Sequence, residues 1–545
     1  MKRAKTPSHI LTLPLNCEPW QRDYLDKLFR VGGNTYNNLV ADRFGALKQL
    51  ERTKAWKSIQ ARLSALYAQR KKELTGKEDY DKLVYEKYKP LFVPLFKERD
   101  ELLLAHGFTE HSFQARVQKW RGHHRKLVNT HVAQKIASAV WQKFRAYLYG
   151  NGDEIHFMPW ADFRSIEGKS NESGIVFRDG AVVIARRKFP VKLAKAPKEG
   201  FQPSESFQPL KGFQPSPSYV YEQEALAHRV KYCRITRRWY PSGWKYFVQL
   251  VLEGEPPVKV NPKTGEVLHP MGKGRVGYDI GTQTLAFSSG SHVGLVELVP
   301  EAQDIQNELR RINRAMDRSR RAMNPQMFNP DGTVIDTPSL PPECLTKRGK
   351  RNWQNSKRYE RLASQRRYLY SKQARLRIQQ HQELANQLLG LGDDHYIEEM
   401  AFRALVKKAK PQEPAPGEKF KRRKRFGKSI ANKAPAAFVN ILEKKVLQNG
   451  GSFQRINTWE AKASQYNHLN HQYNKKKLSQ RWNIMPDGRK IQRDLYSAFL
   501  IQHTNSTLDG FLQGQCDKDY PAFVVLHDAV ISALRGTKLP SSAGI

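Results

Sequence analysis

The chain carries 93 lysines and arginines against 52 aspartates and glutamates, a formal charge of +41 at pH 7. This excess limits what the chain can fold into more than any other feature of the sequence. A compact body with that charge repels itself unless a polyanion neutralises it, and nucleic acid is the commonest polyanion. A ribosome-associated protein or a binder of anionic membranes would carry the same signature. Aromatic residues make up 10% of the chain, with ten tryptophans. That is too many for a disordered polycation, so folded domains with a large polar surface are expected.

Four cysteines (Cys17, Cys233, Cys344, Cys516) lie far apart with no C-x-x-C pair, which excludes a disulfide framework and fits a reducing compartment. The first residues, MKRAKTPSHILTLPLN, are basic and lack an apolar stretch of signal-peptide length. No run approaches the ~20 apolar residues that span a bilayer. A cytoplasmic protein without a membrane partner is expected.

Residues 8–15 (HILTLPLN) alternate apolar and polar side chains, the pattern of a half-buried strand. From Pro19 to Gly150 the spacing turns helical, with basic stretches and interleaved aromatics (Trp120, Trp141, Phe144, Tyr147). Residues 151–255 read as short antiparallel strands split by turn signals such as Asp179-Gly180, closing into a small barrel. They contain a proline-rich insert in which Phe-Gln-Pro recurs at Phe201, Phe207 and Phe213. Two basic helical stretches are expected over 301–392, around a Pro/Asn-rich break. Residues 407–433 carry eleven Lys/Arg against two Glu, which reads as a solvated segment or one lying against phosphate.

Three acids sit where isolated surface carboxylates would not. Asp279 interrupts the apolar strand VGYDIGTQTLAF, and burying a carboxylate there costs several kcal/mol unless it is paired or holds a metal. Gly281, two residues on, leaves room for a backbone or a phosphate. Glu398 lies in YIEEMAF, where strand alternation sends Glu398 and Glu399 to opposite faces. Asp494 opens RDLYSAFLIQH, in the first turn of a helix whose apolar stripe is Leu495, Ala498 and Phe499. Two strands and a helix then supply an oxygen-rich site for Mg²⁺ or Mn²⁺. Two such ions about 3.5–4 Å apart activate a water and stabilise the leaving oxygen of a cleaved phosphodiester. Three unrelated acids in ordinary salt bridges is the competing reading of these residues.

In their order, these segments resemble the motifs of the TnpB family, transposon-encoded RNA-guided nucleases related to type V CRISPR effectors. GYDIGTQTLAF resembles the first RuvC motif (G-x-D-x-G), YIEEMAF the second, and QRDLYSAFLI the third, usually R-D-x-N-A-A-x-N-I. The strands around SGIVFRDGAVVIARR and KYCRITRRWYPSGWKYFVQL look like the family's wedge domain, and the helices over 20–150 sit where its recognition domain sits. The resemblance implies that Asp279, Glu398 and Asp494 are catalytic metal ligands for two Mg²⁺ or Mn²⁺ ions. It also implies a guide RNA, target double-stranded DNA and a monomeric ribonucleoprotein at the prokaryotic nucleoid.

The implied fold is α+β, multidomain and bilobed. A β-barrel wedge carries an inserted helical recognition domain, and an RNase H-like RuvC domain has a mixed sheet flanked by helices. The expected map is wedge strand 1–18, helical domain 19–150, wedge 151–258 (insert 196–218) and linker 259–274. RuvC follows at 275–456 with a basic insert at 301–392, then a nucleic-acid-binding insert at 457–492 and the third motif and tail at 493–545.

Two departures from the family stand out. The 457–492 insert has no cysteine, and only His468 and His471, read as one helical turn apart, remain as zinc-type ligands. No zinc is expected, and packing around Tyr466, Tyr473 and Trp482 would hold the insert. Tyr496 follows Asp494 where the family often has Asn. Asp528 is a rival third carboxylate and Glu399 a rival to Glu398. An RNA-guided binder without cleavage, a type V CRISPR effector and an RNA-independent resolvase or transposase remain as alternative functions.

Overall fold

Alternating side chains make the first element a strand. In β1 (Ser8–Pro14) His9, Leu11 and Leu13 are buried while Ser8, Ile10 and Pro14 face out. The structure, a computed structural model, describes residues 6–74, 84–124, 127–150, 152, 154–194, 217–261, 264–346, 349–406, 426–477, 479–537, 539–540 and 543–545. The Phe-Gln-Pro repeats and most of the basic run, residues 407–425, lie outside the described residues. The chain divides into two compact units, Met1–Arg238 with Gly243–Val258, and Trp239–Ser242 with Lys259–Ile545.

In the first unit, helices α1 (Pro19–Arg52), α2 (Lys54–Leu74), α3 (Lys89–Ala105) and α4 (Thr130–Leu148) follow β1. Its strands after β1 are β2 (Ser165–Glu167), β3 (Ile175–Arg178), β4 (Ala181–Ile184), β5 (Arg187–Pro190), β6 (Val230–Tyr240) and β7 (Gly243–Glu253), with shorter helices at Glu110–Arg116 and Pro217–Ala227. The strands form an open sheet of order β1-β7-β6-β2 and a separate β3-β4-β5 sheet, bridged at Leu15 and Val191. The barrel expected from the strand pattern is corrected accordingly: no closed barrel exists among the described residues. Closure depends on pairings far apart in sequence, to which strand periodicity is blind.

Arg237 of β6 is 1% exposed, with its guanidinium 4.6, 4.4 and 4.3 Å from the ring centres of Phe29, Trp160 and Trp244. It donates to the carbonyls of Phe163 (3.1 Å) and Trp160 (2.6 Å). A buried guanidinium is tolerated because its planar fork both stacks and donates.

The second unit is built on a five-stranded mixed sheet. Its strands are β8 (Arg275–Ile280), β9 (Thr284–Ser289), β10 (Val293–Glu297), β11 (Asp394–Glu398) and β12 (Ser452–Ile456), in the order β10-β9-β8-β11-β12. The first three are an antiparallel meander, and β11 and β12 run parallel to β8. Helices α5 (Ala302–Met323) and α6 (Lys357–Leu389) lie between β10 and β11, and α7 (Pro435–Gln448) connects β11 to β12. Two helices follow β12 and its insert: α8 (Arg493–Gln502), buried on all sides from Leu495 to Gln502, and α9 (Gln513–Leu534).

Both faces of the sheet are covered, as a parallel arrangement requires. Val276, Tyr278 and Ile280 pack with Ile397, Phe438 and Leu442 on one face. On the other, Tyr396 and Ile456 pack with Leu495, Ala498 and Phe499 of α8. The period-two rule then puts Gly277 and Asp279 on the α8 face, and Glu398 there with Tyr396.

Lys433, at the end of the basic run, is neither solvated nor free. It is 4% exposed, donates to Glu297 Oε1 and the Val299 carbonyl, and forms an ion pair with Glu297.

Candidate active site

The site grows from one absence. Gly277 has no side chain where a Cβ would stand 2.2 Å from both the Ala498 carbonyl oxygen and the Gln502 nitrogen. This opening lets α8 lie directly on β8. Asp279 follows on the same face of β8. The last paired position between β8 and β11 is Tyr278–Ile397, so Glu398 comes next on β11 beside Asp279. The structure thus gathers Asp279, Glu398 and Asp494 at one end of the sheet face that α8 covers.

The electrostatics record that gathering. Burial, then the charge of Asp494, then that of Glu398 push the Asp279 carboxyl well above the usual carboxylate range. Arg493 and a hydrogen bond from Ser497 act against that rise. Burial pushes Glu398 up to about 7. Like charges held in low dielectric raise one another, and a bound cation would relieve the strain.

Asp494 is held from several sides. Arg493 donates to its Oδ1 through Nε and Nη2, both at 3.1 Å, and Arg481 stands 3.9 Å from Oδ2. The Gln492 side chain caps α8 by accepting from the Leu495 N–H at 2.8 Å, and its amide donates to the Ala543 carbonyl at 3.0 Å. Its backbone N–H donates to His527 Nε2 at 3.0 Å, while His527 Nδ1 meets Asp528 Oδ1 at 2.8 Å. Asp528 is therefore corrected: its side chain is 68% exposed and it orients an imidazole that fixes the start of α8.

The other rivals separate as plainly. Glu399 is exposed, whereas Glu398 is partly buried. The insert is not helical at its histidines: β13 (Tyr466–Asn467) and β14 (Gln472–Tyr473) form a hairpin there, followed by β15 (Trp482–Ile484) and β16 (Lys490–Gln492). His468 is fully buried, and His471 occupies the hairpin turn at φ 57°. Tyr466 is buried as expected and Trp482 half-buried, but Tyr473 is 50% exposed and no core residue.

Arg481, Gln492 and His527 are not singled out by the sequence, whereas Gly277 and Arg493 stand inside the two motif patterns (G-x-D-x-G and R-D) that carry Asp279 and Asp494. Gly277 also shares the period-two face of Asp279. Arg481, Gln492 and His527 are brought in by tertiary packing.

The donor set fits a hard divalent cation: three carboxylates and no thiolate. Among the described residues, however, no three His, Cys, Asp or Glu side chains stand at metal-ligand spacing. Arg493 meanwhile holds Asp494 Oδ1, one of the oxygens that a cation would take.

No family model matches the chain, and no curated protein matches it. Among solved structures it matches one described as "Cryo-EM structure of CRISPR-Cas12f Ternary Complex", at 13% identity and a TM-score of 0.24, over 92% of this chain and 100% of that one. Among the described residues no helix is long and apolar enough to cross a membrane.

Proposed function

We propose that the chain is an RNA-guided DNA endonuclease of the TnpB kind, hydrolysing phosphodiesters at a single site whose metal ligands are Asp279, Glu398 and Asp494. The observation that carries this reading is geometric: Asp279 and Glu398 stand side by side on adjacent parallel strands, and Asp494 lies in the first turn of the helix that covers that face. We read the five-stranded sheet, an antiparallel meander followed by two parallel strands, as the RNase H-like core of a RuvC domain. The formal charge of +41 supports a bound polyanion, and a guide RNA would supply it.

Divalent cations would be held by the three carboxylates, and when bound they supply Lewis-acid polarisation and an acidified water. The chain does the rest. Arg493 offsets negative charge on Asp494 and Asp279 until a cation arrives. The cap at Gln492, braced by His527, fixes the first turn of α8 and so the position of Asp494. In the wider particle, pairing to the guide would read sequence while basic surfaces hold duplex shape and backbone.

RNA that co-purifies with the chain should show a defined scaffold and a variable end. With that RNA and Mg²⁺ the wild type should cut matching DNA, and Asp279→Asn should bind it uncut. Full cutting by Asp279→Asn would sink the site assignment. Cutting of four-way junctions by RNA-free protein would sink the guided reading.

A further inference from the structure

Trp459 is 88% exposed, more than any other large apolar side chain in the described residues. Its backbone is nonetheless fixed. The Trp459 N–H donates to Asn457 Oδ1 at 3.1 Å, and the Asn457 N–H donates to the Leu508 carbonyl at 2.8 Å. Thr458 Oγ1 donates to the Glu399 carbonyl at 3.3 Å, tying this one-turn helix to the residue after Glu398. Across the sheet, Glu398 pairs with Ile456, three residues before Trp459. An indole is thus presented to solvent on an anchored backbone, beside the strand that ends in Glu398.

Trp459 lines a recess of about 510 Å³ together with Ile456, Leu508, Thr458, Thr507, Glu399 and Arg455. Ile456 and Leu508 are apolar, whereas the threonines and the Glu399 carboxylate offer acceptors. A phosphate would meet the Glu399 carboxylate unfavourably, and the one basic side chain of the wall, Arg455, has its guanidinium held by Glu443 at 2.8 and 2.7 Å. A nucleobase suits the chemistry better: its face stacks on an indole, and its ring N–H or amino groups donate to the acceptors.

We infer that Trp459 and this recess hold one unstacked base of the DNA strand being cut, which positions the neighbouring phosphate at the carboxylates. The inference rests on the proposed nuclease reading. Trp459 is then a positioning residue, and it also sets where along the strand the cut falls.

The test uses the full chain and a single-stranded oligodeoxynucleotide in which 2-aminopurine is moved one position at a time. In an Asp279→Asn background, one position should be quenched. Adding Trp459→Ala should abolish that quenching, whereas Trp459→Phe should keep it. The loss should persist as salt rises, because stacking, unlike phosphate contact, releases no counterions. In the cutting enzyme, Trp459→Ala should raise KM for a pre-opened strand about tenfold, as the loss of one base stack implies. Guide and target-duplex affinity should not change, and neither should the melting temperature. Identical quenching and KM in Trp459→Ala and wild type would overturn the inference. If the wild type never cuts but the Trp459-dependent quenching persists, the nuclease reading fails and the base site stands. An RNA strand quenched as well as DNA at the same position would overturn its assignment to the cut strand.

Discussion

The Tyr496 hydroxyl accepts the backbone N–H of His468 at 3.1 Å and lies 2.6 Å from the Nδ1 of the same residue. Tyr496 stands two residues past Asp494 on α8, so this double contact clamps the 457–492 insert to the helix that carries the third acid. Burial drives the His468 imidazole down to about 4. A neutral ring takes the hydroxyl proton at Nδ1. Tyr496→Phe removes both contacts and leaves a buried imidazole and a buried N–H short of partners, at a cost of about 1–3 kcal/mol. A melting temperature equal to wild type would show that the clamp carries nothing.

The same histidine sets a pH dependence. Its folded pKa lies below its unfolded value near 6.5, so the unfolded chain binds the extra proton first. The stability it contributes is complete above pH 6.5 and is lost as pH falls towards 4. His468→Gln should flatten the decline in melting temperature over that window. Other buried histidines, His381 and His395 among them, are lowered too, so the difference between variant and wild type is the informative quantity. Parallel curves for the two proteins would rule the assignment out.

Gly277→Ala puts a methyl group 2.2 Å from two backbone atoms of α8. Neither atom can retreat without moving the helix, so the variant should lose on the order of 4 kcal/mol or fail to fold. Gly290→Ala is the control, because its Cβ would meet nothing within 4 Å. If Gly277→Ala melts within a degree of wild type, α8 does not lie on β8 as described.

How much of this fold is legible in the residues depends on the range of the interactions. The apolar strand interrupted by Asp279 and the helix that opens at Asp494 are local patterns, and the order of residues alone displays both. The expected stripe of Leu495, Ala498 and Phe499 falls short, because Leu495 to Gln502 are all buried. The insert defeats the same reading because β13 to β16 are two or three residues long, too short to show a period, and His468 and His471 mimic the spacing of a helical turn. Asp528 looks like a ligand because its partner, His527, and the backbone that His527 supports meet only after α9 folds back on α8. Lys433 looks solvated because its partner Glu297 lies 136 residues away.

The His527 relay yields a prediction that separates positioning from ligation. His527→Ala leaves the Gln492 N–H without its acceptor and loosens the start of α8. Asp528→Asn only weakens the orientation of an imidazole. If Asp528 were a metal ligand, Asp528→Asn would abolish cutting as Asp279→Asn should. The relay instead predicts that Asp528→Asn retains most activity while His527→Ala loses more. Complete inactivity of well-folded Asp528→Asn would restore it as a rival ligand.

The carboxylates predict how metal and pH are coupled. Glu398 has a folded value of about 7 against an unfolded 4.5, and Asp279 is raised as well. A raised carboxyl contributes stability that is complete below its unfolded value and lost as pH rises through the folded one. The metal-free protein should therefore lose this contribution between about pH 4.5 and 7. A divalent cation binds the deprotonated carboxylates, so its affinity and the stabilisation it brings should grow over the same interval. At fixed Mn²⁺, the rise in melting temperature should be small at pH 5.5 and complete by pH 8. Asp279→Asn should remove most of it at every pH. An increment equal at both pH values, or one untouched by Asp279→Asn, would place the cation elsewhere.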